Sequence, residues 1–405
     1  MISRRKILQM ATAAAITAYI FCTVLVRSLG DKSWSISIPD VSRNTLGGSV
    51  FEHIQNSTLG FEHIYAISMK ERTDKRDFLT LAASVSGFKV EWLDGVRPDD
   101  LHPKAMPDGL DPSLVKPTVV ACWRAHMNAL VKYSHTPFHF PEAVLTFGIK
   151  NNSMLSNGYS TALILEDDAD WDVSLKSQLG EFSHGLHALK GINRVSKEAP
   201  YGTDWDVLWI GGCASGPNAN ETSFYAIPMD PTVPRAHHRA TWGGPTEKWK
   251  QQYPELVDDS TRFIYRAEMG CCMFGYAVTT RGARNILSAL SVDRLDKPVD
   301  DALSELCAGV NGRHKIECWA PFPNLIGTYR KAGSASRDSD IENNNVAEFH
   351  EEQAWNMVYS TRRNIRQLVA GEEIVYSQWK DEDVPWSNKA IKHKEFVYPG
   401  GYLVN

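Results

Sequence analysis

A short apolar run that ends in acidic residues is the part of the sequence best suited to bind a cation. In TALILEDDADWD, residues 161–172, the apolar run 162–165 is followed by five acids. They are Glu166, Asp167, Asp168, Asp170 and Asp172. Carboxylates this close repel one another, and a bound cation removes that repulsion. Mg²⁺ and Mn²⁺ take oxygen ligands, typically one or two carboxylates with substrate phosphates supplying the rest. The segment therefore predicts a divalent-metal site.

The spacing of these acids indicates which of them act together. Alternate side chains of a β-strand share a face, so Glu166 and Asp168, or Asp168 and Asp170, can point the same way. An alternative interpretation is a solvated turn or the first turn of a helix, where Asp and Glu are also favoured. A calcium loop of EF-hand type is excluded, because its sixth position would be Val173 instead of Gly and its twelfth Leu179 instead of Glu.

Strand-like and helix-like patterns alternate around this segment. Strands are predicted at 63–69, 88–96, 162–165, 205–213 and in the first half of 269–290, and helices at 71–87, 119–134 and in the second half of 269–290. This alternation predicts an α/β fold with a mostly parallel sheet flanked by helices. Ligands of such folds bind beyond the carboxyl ends of the strands, which is where the acids at 166–172 are expected to lie.

The composition allows one large core or two modest ones and disfavours a nucleic-acid partner. The chain has 405 residues, of which 43% are hydrophobic, and its net charge is −5. It therefore has no overall attraction for a polyanion, since nucleic-acid binding normally needs a basic face or stripe.

The N-terminus carries a predicted membrane anchor. Three basic residues, Arg4 to Lys6, precede the uncharged segment 7–26, which as a helix would be about 30 Å long and could cross a bilayer. The basic side is expected to stay cytoplasmic, so residues 1–6 form a tail, 7–26 a signal-anchor and 27–59 a stem. We expect a single-pass type II membrane protein facing the lumen of the Golgi or ER. The alternative is a bacterial protein exported through a twin-arginine signal.

The cysteines fit an oxidising compartment. One of the seven, Cys22, lies in the apolar segment, which leaves an even number in the rest of the chain. Cys307 and Cys318 are close enough in sequence to form a local disulfide, whereas the full connectivity does not follow from the sequence. The chain has no CxxC pair, so a zinc site made of such pairs is not expected.

Taken together, several segments resemble glycosyltransferase family 25, the lipopolysaccharide and collagen galactosyltransferase type. The matching segments are IYAISMKERTDKRDFL with DGV at 94–96, ACWRAHMNAL at 121–130, ALILEDDADW at 162–171, WDVLWIGGC at 205–213, GYAVTTRGARNIL at 275–287, PVDDAL at 298–303 and SDI at 339–341. The chain departs from the family pattern at Ala121-Cys122 and Ala125-His126, where Gly-Cys and Ser-His are usual, and in a long insert at 214–266.

The resemblance implies a GT-A type catalytic domain at 60–341, followed by a C-terminal extension at 342–405. It implies a nucleotide-sugar donor, with UDP-galactose favoured, held through Mn²⁺ or Mg²⁺ and transferred with inversion to a hydroxyl of a glycan, glycoprotein or glycolipid. The implied metal ligands are Glu166, Asp167 and Asp168, with Asp168 first and Asp170 in reserve.

An inverting transfer also needs a base that takes the proton of the acceptor hydroxyl. The family pattern places Asp300 in this role, ahead of Asp301 and Glu268. The alternative is that Asp300 caps the helix that begins after Pro298. His126 is a further candidate on the family match alone, since a histidine on a helix face is more often a satisfied structural residue.

Arg72, Arg76 and Asp94 are the candidate donor-binding residues. The two arginines follow the first strand, where a base or a phosphate could lie, and Asp94 ends the second strand. The alternatives are a solvated helix face for the arginines and a simple turn for Asp94-Gly95.

Two other functions stay open at the level of sequence. A metal-dependent hydrolase of phosphate esters or glycosides would use the same acids, although glycosidases usually need a carboxylate pair that flanks the bond and no metal. A non-catalytic glycan-binding protein could keep the same fold, and the intact acids at 166–168 favour an enzyme over it.

Overall fold

A computed structural model of the chain describes residues 50–111, 115–135, 160–341, 348–379, 390–394 and 398–405. Within these ranges no helix is long and apolar enough to cross a membrane. The predicted tail 1–6, the predicted signal-anchor 7–26 and most of the predicted stem lie outside the described residues. The last part of that stem packs into the folded body, since Val50, Ile54 and Leu59 are fully buried.

The fold is mixed α/β and is built on a central sheet. The strands of the described residues are β1 (His63–Ser68), β2 (Glu91–Asp94), β3 (Thr161–Glu166), β4 (Ala169–Trp171), β5 (Val207–Gly211), β6 (Ala214–Pro217), β7 (Phe224–Ile227), β8 (Trp242–Gly243), β9 (Arg262–Cys271), β10 (Gly275–Thr279), β11 (Cys318–Phe322), β12 (Ile326–Arg330), β13 (Gly333–Ser334), β14 (Phe349–His350), β15 (Gln353–Ala354), β16 (Ile374–Tyr376), β17 (Ala390–Lys392) and β18 (Tyr402–Val404). Two pairs, β13 with β14 and β16 with β17, form separate two-stranded sheets, and the other strands belong to the central sheet.

The main path of the sheet has the order β2-β1-β3-β10-β5-β11-β9-β7-β18. Five of its first six strands run in the same direction, and β10 alone among these six runs in the opposite direction, between β3 and β5. The remaining strands, β9, β7 and β18, continue the sheet with antiparallel pairs. The predicted α/β class with a mostly parallel central sheet is therefore confirmed, with an antiparallel region added at one side.

The helices lie between the strands along the chain. They are α1 (Thr73–Val85), α2 (Pro117–His135), α3 (Leu175–Lys190), α4 (Glu247–Gln252), α5 (Thr280–Leu287), α6 (Val299–Ala308) and α7 (Ile365–Val369). Helix α1 connects the parallel strands β1 and β2, so the predicted strand–helix–strand unit is confirmed. Helix α5 begins directly after β10, where the Thr279 hydroxyl accepts a hydrogen bond from the Gly282 N–H and so caps the first turn.

The apolar run before the acids is uniformly hydrophobic because both faces of β3 are covered. Ala162 and Ile164 belong to one buried cluster and Leu163 and Leu165 to a second one, as the alternation of side chains in a strand requires. Strands of parallel sheets covered on both faces read as continuous apolar runs for this reason. β3 is thus held rigidly from both sides up to the point where the acids begin.

Both the predicted insert and the predicted C-terminal extension contribute to the sheet. The insert 214–266 supplies β6, β7, β8 and α4, and β7 lies in the main path. From the segment after residue 341, β18 pairs with β7, and β15 pairs with β12. Strand β12 in turn pairs with β4, which begins directly after Asp168 and contains Asp170. These late strands therefore complete the surroundings of the acidic segment.

Two disulfides are present among the described residues, one local and one between more distant parts of the chain. Cys307 is bonded to Cys318, as its short sequence separation suggests, and Cys213 is bonded to Cys272. Cys122 and Cys271 are free thiols.

Candidate active site

The acids of the 166–172 segment lie at the carboxyl ends of three adjacent parallel strands. Register pairs Glu166 of β3 with Ile67 of β1, and Ser68 of β1 with Asp94 of β2. The chain does not turn away from the sheet after β3, because residues 169–171 form β4 and pair with β12. The acids are therefore fixed by strands on both sides, and the alternative of a solvated turn does not describe them.

Glu166 faces helix α2. Its Oε1 lies 3.4 Å from Nε2 of His126, which is fully buried and also lies 3.1 Å from the Tyr276 hydroxyl through Nδ1. Burial and the charge of nearby Asp168 raise the pKa of Glu166, although the contact with His126 opposes that rise. The Cys122 thiol lies one helical turn before His126, and its Sγ belongs to the same small group of side chains.

Asp167 faces the opposite way, toward β1 and α1. Its carboxylate accepts a hydrogen bond of 2.7 Å from the Ser68 hydroxyl and one of 2.9 Å from the Lys75 ammonium. Burial raises the pKa of Asp167 in spite of these partners. Burial also opposes the charge of Lys75, but the nearby carboxylates outweigh it and raise the pKa of the ammonium, which stays protonated.

Asp168 is the most strongly ionised member of the three. Burial works against its charge, but Arg330 at the end of β12 and Lys75 outweigh burial and lower the pKa of Asp168. Arg330 pairs with Oδ2, while the buried Oδ1 has no hydrogen-bond partner among the described residues. A buried carboxylate oxygen without a partner is costly, and a cation bound there would satisfy it.

The structure does not bring the three predicted metal ligands to one point. Among the residues that the structure describes, no group of three metal-ligating side chains within 4.8 Å includes Asp167 or Asp168. Divalent metals that bind diphosphates need only one or two carboxylates. Asp168 fits such a metal through its unpartnered oxygen, whereas both oxygens of Asp167 are already engaged.

Asp170 and Asp172 hold the C-terminal part of the chain against this site. The buried Asp170 carboxylate accepts hydrogen bonds from the Ser360 hydroxyl and the Arg362 N–H, and Asp172 accepts one of 2.9 Å from the Tyr359 N–H. Neither carboxylate lies free to bind a metal, so the reserve role of Asp170 as a ligand does not fit the structure. The Arg362 guanidinium then reaches the Asp167 carbonyl at 2.8 Å.

The candidate donor-binding residues lie at the same edge of the sheet. Arg76 donates to Asp94 at 2.6 Å and to the Ser68 carbonyl at 2.8 Å, and its guanidinium lies over the Trp92 ring at 5.1 Å. Arg72 pairs with Asp340 at 2.6 Å. The two arginines thereby link the carboxyl ends of β1 and β2 to the segment around residue 340. They do not form a freely solvated helix face.

Five basic side chains line a cavity beside Asp168. They are Arg72, Lys75, Lys331, Arg337 and Arg362. The acidic lining residues are Asp74, Asp168 and Asp338, and Phe78 and Tyr329 supply aromatic surface. Sequence reasoning selected Arg72 and Asp168 from this set and missed the rest. The missed arginines have no local signal, because Arg337 comes from the turn after β13 and Arg362 from the segment after residue 360.

Asp300 lies in the first turn of α6 and contacts the end of β9. Its Oδ2 accepts a hydrogen bond of 2.9 Å from the Cys272 N–H, and the Cys271 Sγ lies 3.5 Å from the same oxygen. Helix α6 has Pro298 at its N-cap and no capping side chain, so Asp300 does not act as the cap. Burial first, and then the charges of Glu166, Asp300 and Asp168, raise the pKa of the Cys122 thiol. Asp300 therefore lies near the same thiol as the acidic segment.

The two other candidate bases are less well placed. Asp301 is exposed to solvent, and partial desolvation of its carboxyl together with the neighbouring Asp300 charge raises its pKa. Glu268 is held by the Lys315 ammonium and by Asn218. Burial works against the charge of Glu268, but Lys315 and Asn218 outweigh it and lower its pKa, which makes it a weaker base. Asp300 is therefore preferred as the base.

Comparison of the sequence with known protein families and with curated proteins found no match. The function of this site therefore has to be argued from its residues and their geometry.

Proposed function

We propose that the chain is a metal-dependent inverting glycosyltransferase with a GT-A type fold. It would transfer a sugar, galactose in the first instance, from a UDP-sugar to a hydroxyl of a glycan, glycoprotein or glycolipid acceptor. The observation that carries the proposal is that Asp168, with its unpartnered buried oxygen, lines a cavity that five basic side chains surround.

A carboxylate within a basic cavity suits a metal–diphosphate complex better than it suits a free metal ion or a free diphosphate. A bare diphosphate would be repelled by Asp168, and a bare cation by the surrounding arginines and lysines. When bound, Mn²⁺ or Mg²⁺ would neutralise charge that develops on the diphosphate as the glycosidic bond breaks. Lys75 and Arg330, which pair with Asp167 and Asp168, would also be close to the phosphate oxygens.

Arg76 and Asp94 are suited to the rest of the donor. Their ion pair at 2.6 Å lies at the end of β2, next to the Trp92 ring. An aromatic surface next to a fixed carboxylate can contact a nucleoside through stacking and through its hydroxyls. We propose that these residues hold the nucleoside, while Arg72 lies nearer the phosphates because it lines the cavity.

Asp300 is the proposed base. The Cys272 N–H fixes one of its oxygens, and the Cys213–Cys272 disulfide fixes that backbone in turn. A base must reach the acceptor hydroxyl on the face opposite the leaving group. The position of Asp300 on α6, separate from the basic cavity at β12 and α1, supports this division of roles.

The experiment is a donor screen with purified protein and Mn²⁺, in which release of nucleoside diphosphate is measured with and without acceptor sugars. Asp168→Asn is compared with Asp293→Asn, which changes an exposed carboxylate elsewhere. We expect the first variant to lose about 100-fold or more in kcat/KM and the second to retain activity. Unchanged turnover in Asp168→Asn would refute the metal assignment.

The same assay separates the proposal from its two alternatives. Release of nucleoside diphosphate without any acceptor, or cleavage of phosphate esters, would indicate a hydrolase. Absence of metal-dependent nucleotide binding in calorimetry would indicate a non-catalytic glycan-binding protein. For Asp300→Asn we expect kcat to fall while metal-dependent nucleotide binding is retained, because Asp300 lies outside the basic cavity.

We further propose that this site faces the lumen of the Golgi or ER and that the chain is anchored by residues 7–26. The two disulfides support an oxidising compartment. Protease treatment of sealed microsomes should leave the part of the chain after residue 26 intact until detergent is added. Digestion of that part in sealed vesicles would contradict the proposed orientation.

A further inference from the structure

A thiol, an imidazole and a carboxylate from two elements meet beneath the proposed active site. Cys122 and His126 lie four residues apart on α2, so their side chains share one face of the helix. Glu166 approaches them from the end of β3. One ligand atom from each of the three lies within 4.8 Å of the other two. Their residue types are those that bind zinc in proteins.

The spacing of two of these atoms matches a tetrahedral metal site. His126 Nε2 and Glu166 Oε1 are 3.4 Å apart. Zn–N and Zn–O bonds of about 2.0–2.2 Å place neighbouring ligands of a tetrahedron roughly 3.3–3.6 Å apart. A direct hydrogen bond between charged partners would instead be about 2.7–2.9 Å long. The pair is therefore spaced as two ligands of one ion are.

The other ring nitrogen of His126 has the partner that a metal-bound histidine requires. Its Nδ1 lies 3.1 Å from the hydroxyl of Tyr276, which is fully buried. When Nδ1–H donates to that hydroxyl, the Nε2 lone pair faces the Glu166 carboxylate. In that tautomer Nε2 can bind a cation together with the carboxylate. Zinc-binding histidines are usually oriented by a second hydrogen bond of this kind.

We propose that Cys122 Sγ, His126 Nε2 and Glu166 Oε1 form a binding site for a zinc-class ion. The three protein ligands leave a fourth position for water, and the thiolate and imidazole select zinc over Mn²⁺ or Mg²⁺. Binding replaces the thiol proton, so that one S–H bond breaks, one Zn–S bond forms and one proton passes to solvent. The site shares Glu166 with the predicted carboxylate set but does not depend on the proposed transferase activity.

The second free thiol provides a matched comparison. Cys271 groups with Asp300 and Asp301 within the same distance limit. This group has no imidazole, one of its carboxylates is exposed, and the Asp300 oxygen already accepts the Cys272 N–H. Cys271→Ser therefore changes a thiol next to the site while leaving the proposed ligands in place.

The test is a titration of the full-length chain, purified in detergent with its disulfides intact, first with Co²⁺ and then with Zn²⁺. We expect one equivalent of Co²⁺ to give the sulfur-to-cobalt charge-transfer band and the intense visible absorption of tetrahedral cobalt. Zn²⁺ should displace the bound Co²⁺. The metal-bound protein should have released one proton per chain relative to the metal-free protein. Absence of the sulfur band in the wild-type chain would overturn the proposal without recourse to any variant.

The variants then locate the site. Cys122→Ser should abolish the sulfur band, and Glu166→Gln should keep the band but weaken zinc binding. The loss of affinity in either variant should be at least about 100-fold, since loss of an outer hydrogen-bond partner alone costs about 10–100-fold. Cys271→Ser should behave as wild type. A band that persists in Cys122→Ser, or that disappears in Cys271→Ser, would place the metal elsewhere.

Asp168→Asn separates this inference from the proposed function. That variant should lose Mn²⁺-dependent transfer and keep the sulfur-to-cobalt band. Retained transfer with a normal band would refute the metal role of Asp168 alone. Loss of transfer in Asp168→Asn, together with absence of the band in the wild type, would refute the zinc site alone.

Discussion

Ionisation of Asp172 should make the folded protein less stable above neutral pH. Its carboxyl is buried, and burial raises its pKa from the ordinary value of 3.8 to about 7, although the Tyr359 and Ser174 N–H groups donate to it and oppose the rise. The folded state therefore holds the proton more tightly than the unfolded chain. Stability from this group is fully present below pH 3.8 and is lost as the pH rises through 7.

The size of the effect follows from the two pKa values. Each pH unit between them changes the free energy of unfolding by about 1.36 kcal/mol. Between about pH 7.5 and pH 5 the group should therefore add about 2.5 kcal/mol to stability. Asp172→Asn cannot ionise, and its amide leaves the Tyr359 N–H without an acceptor. The variant should be about 1–3 kcal/mol less stable than wild type at pH 5 and close to wild type at pH 7.5.

Urea unfolding followed by tryptophan fluorescence at the two pH values measures this difference. Asp258→Asn is the control, because Asp258 accepts the same pair of hydrogen bonds, from the Ser260 N–H and hydroxyl, at an exposed position. Its difference from wild type, measured at both pH values, gives the cost of the same change at a surface position. If wild type and Asp172→Asn respond equally to pH, the raised pKa of Asp172 is wrong.

Two further predictions concern packing. Gly282→Ala should destabilise the protein by about 2 kcal/mol or more, because the new Cβ would lie 2.1 Å from the Asp206 carbonyl oxygen. This exchange usually favours a helix by about 1 kcal/mol, so a raised unfolding midpoint would contradict the prediction. Asp230→Ala should lower the free energy of unfolding by about 3–5 kcal/mol, since it removes the carboxylate that lies 2.6 Å from the buried guanidinium of Arg262. The urea midpoint of this variant is compared with that of Asp258→Asn, and similar midpoints would refute the prediction.

The order of strands and helices was predictable because it depends on local periodicity. The strand before the acids, the helix after β1 and the helix after β10 all follow from apolar spacing and from turn residues. The position of the acids at the carboxyl ends of parallel strands was also predictable from that order. The local Cys307–Cys318 disulfide was suggested by its short separation.

The different roles of neighbouring acids were not predictable. Asp167, Asp168 and Asp170 have the same side chain and the same local sequence context, yet Lys75 pairs with the first, Arg330 with the second and Ser360 with the third. Arg330 is 162 residues away from Asp168 in the chain. Such partners carry no local periodic signal, since only the packing of β12 and of the C-terminal segment brings them to the site.

The sequence by itself determined that a rigid strand ends in carboxylates at an edge of the sheet where ligands bind. This information is local, because strand formation and side-chain alternation depend on adjacent residues. Only the tertiary structure decided that Asp168 keeps an unpartnered oxygen beside a basic cavity, while Glu166 turns to His126 and Asp172 becomes a buried structural acid. Burial and charge pairing decide these differences, and both depend on residues that are far apart in the chain.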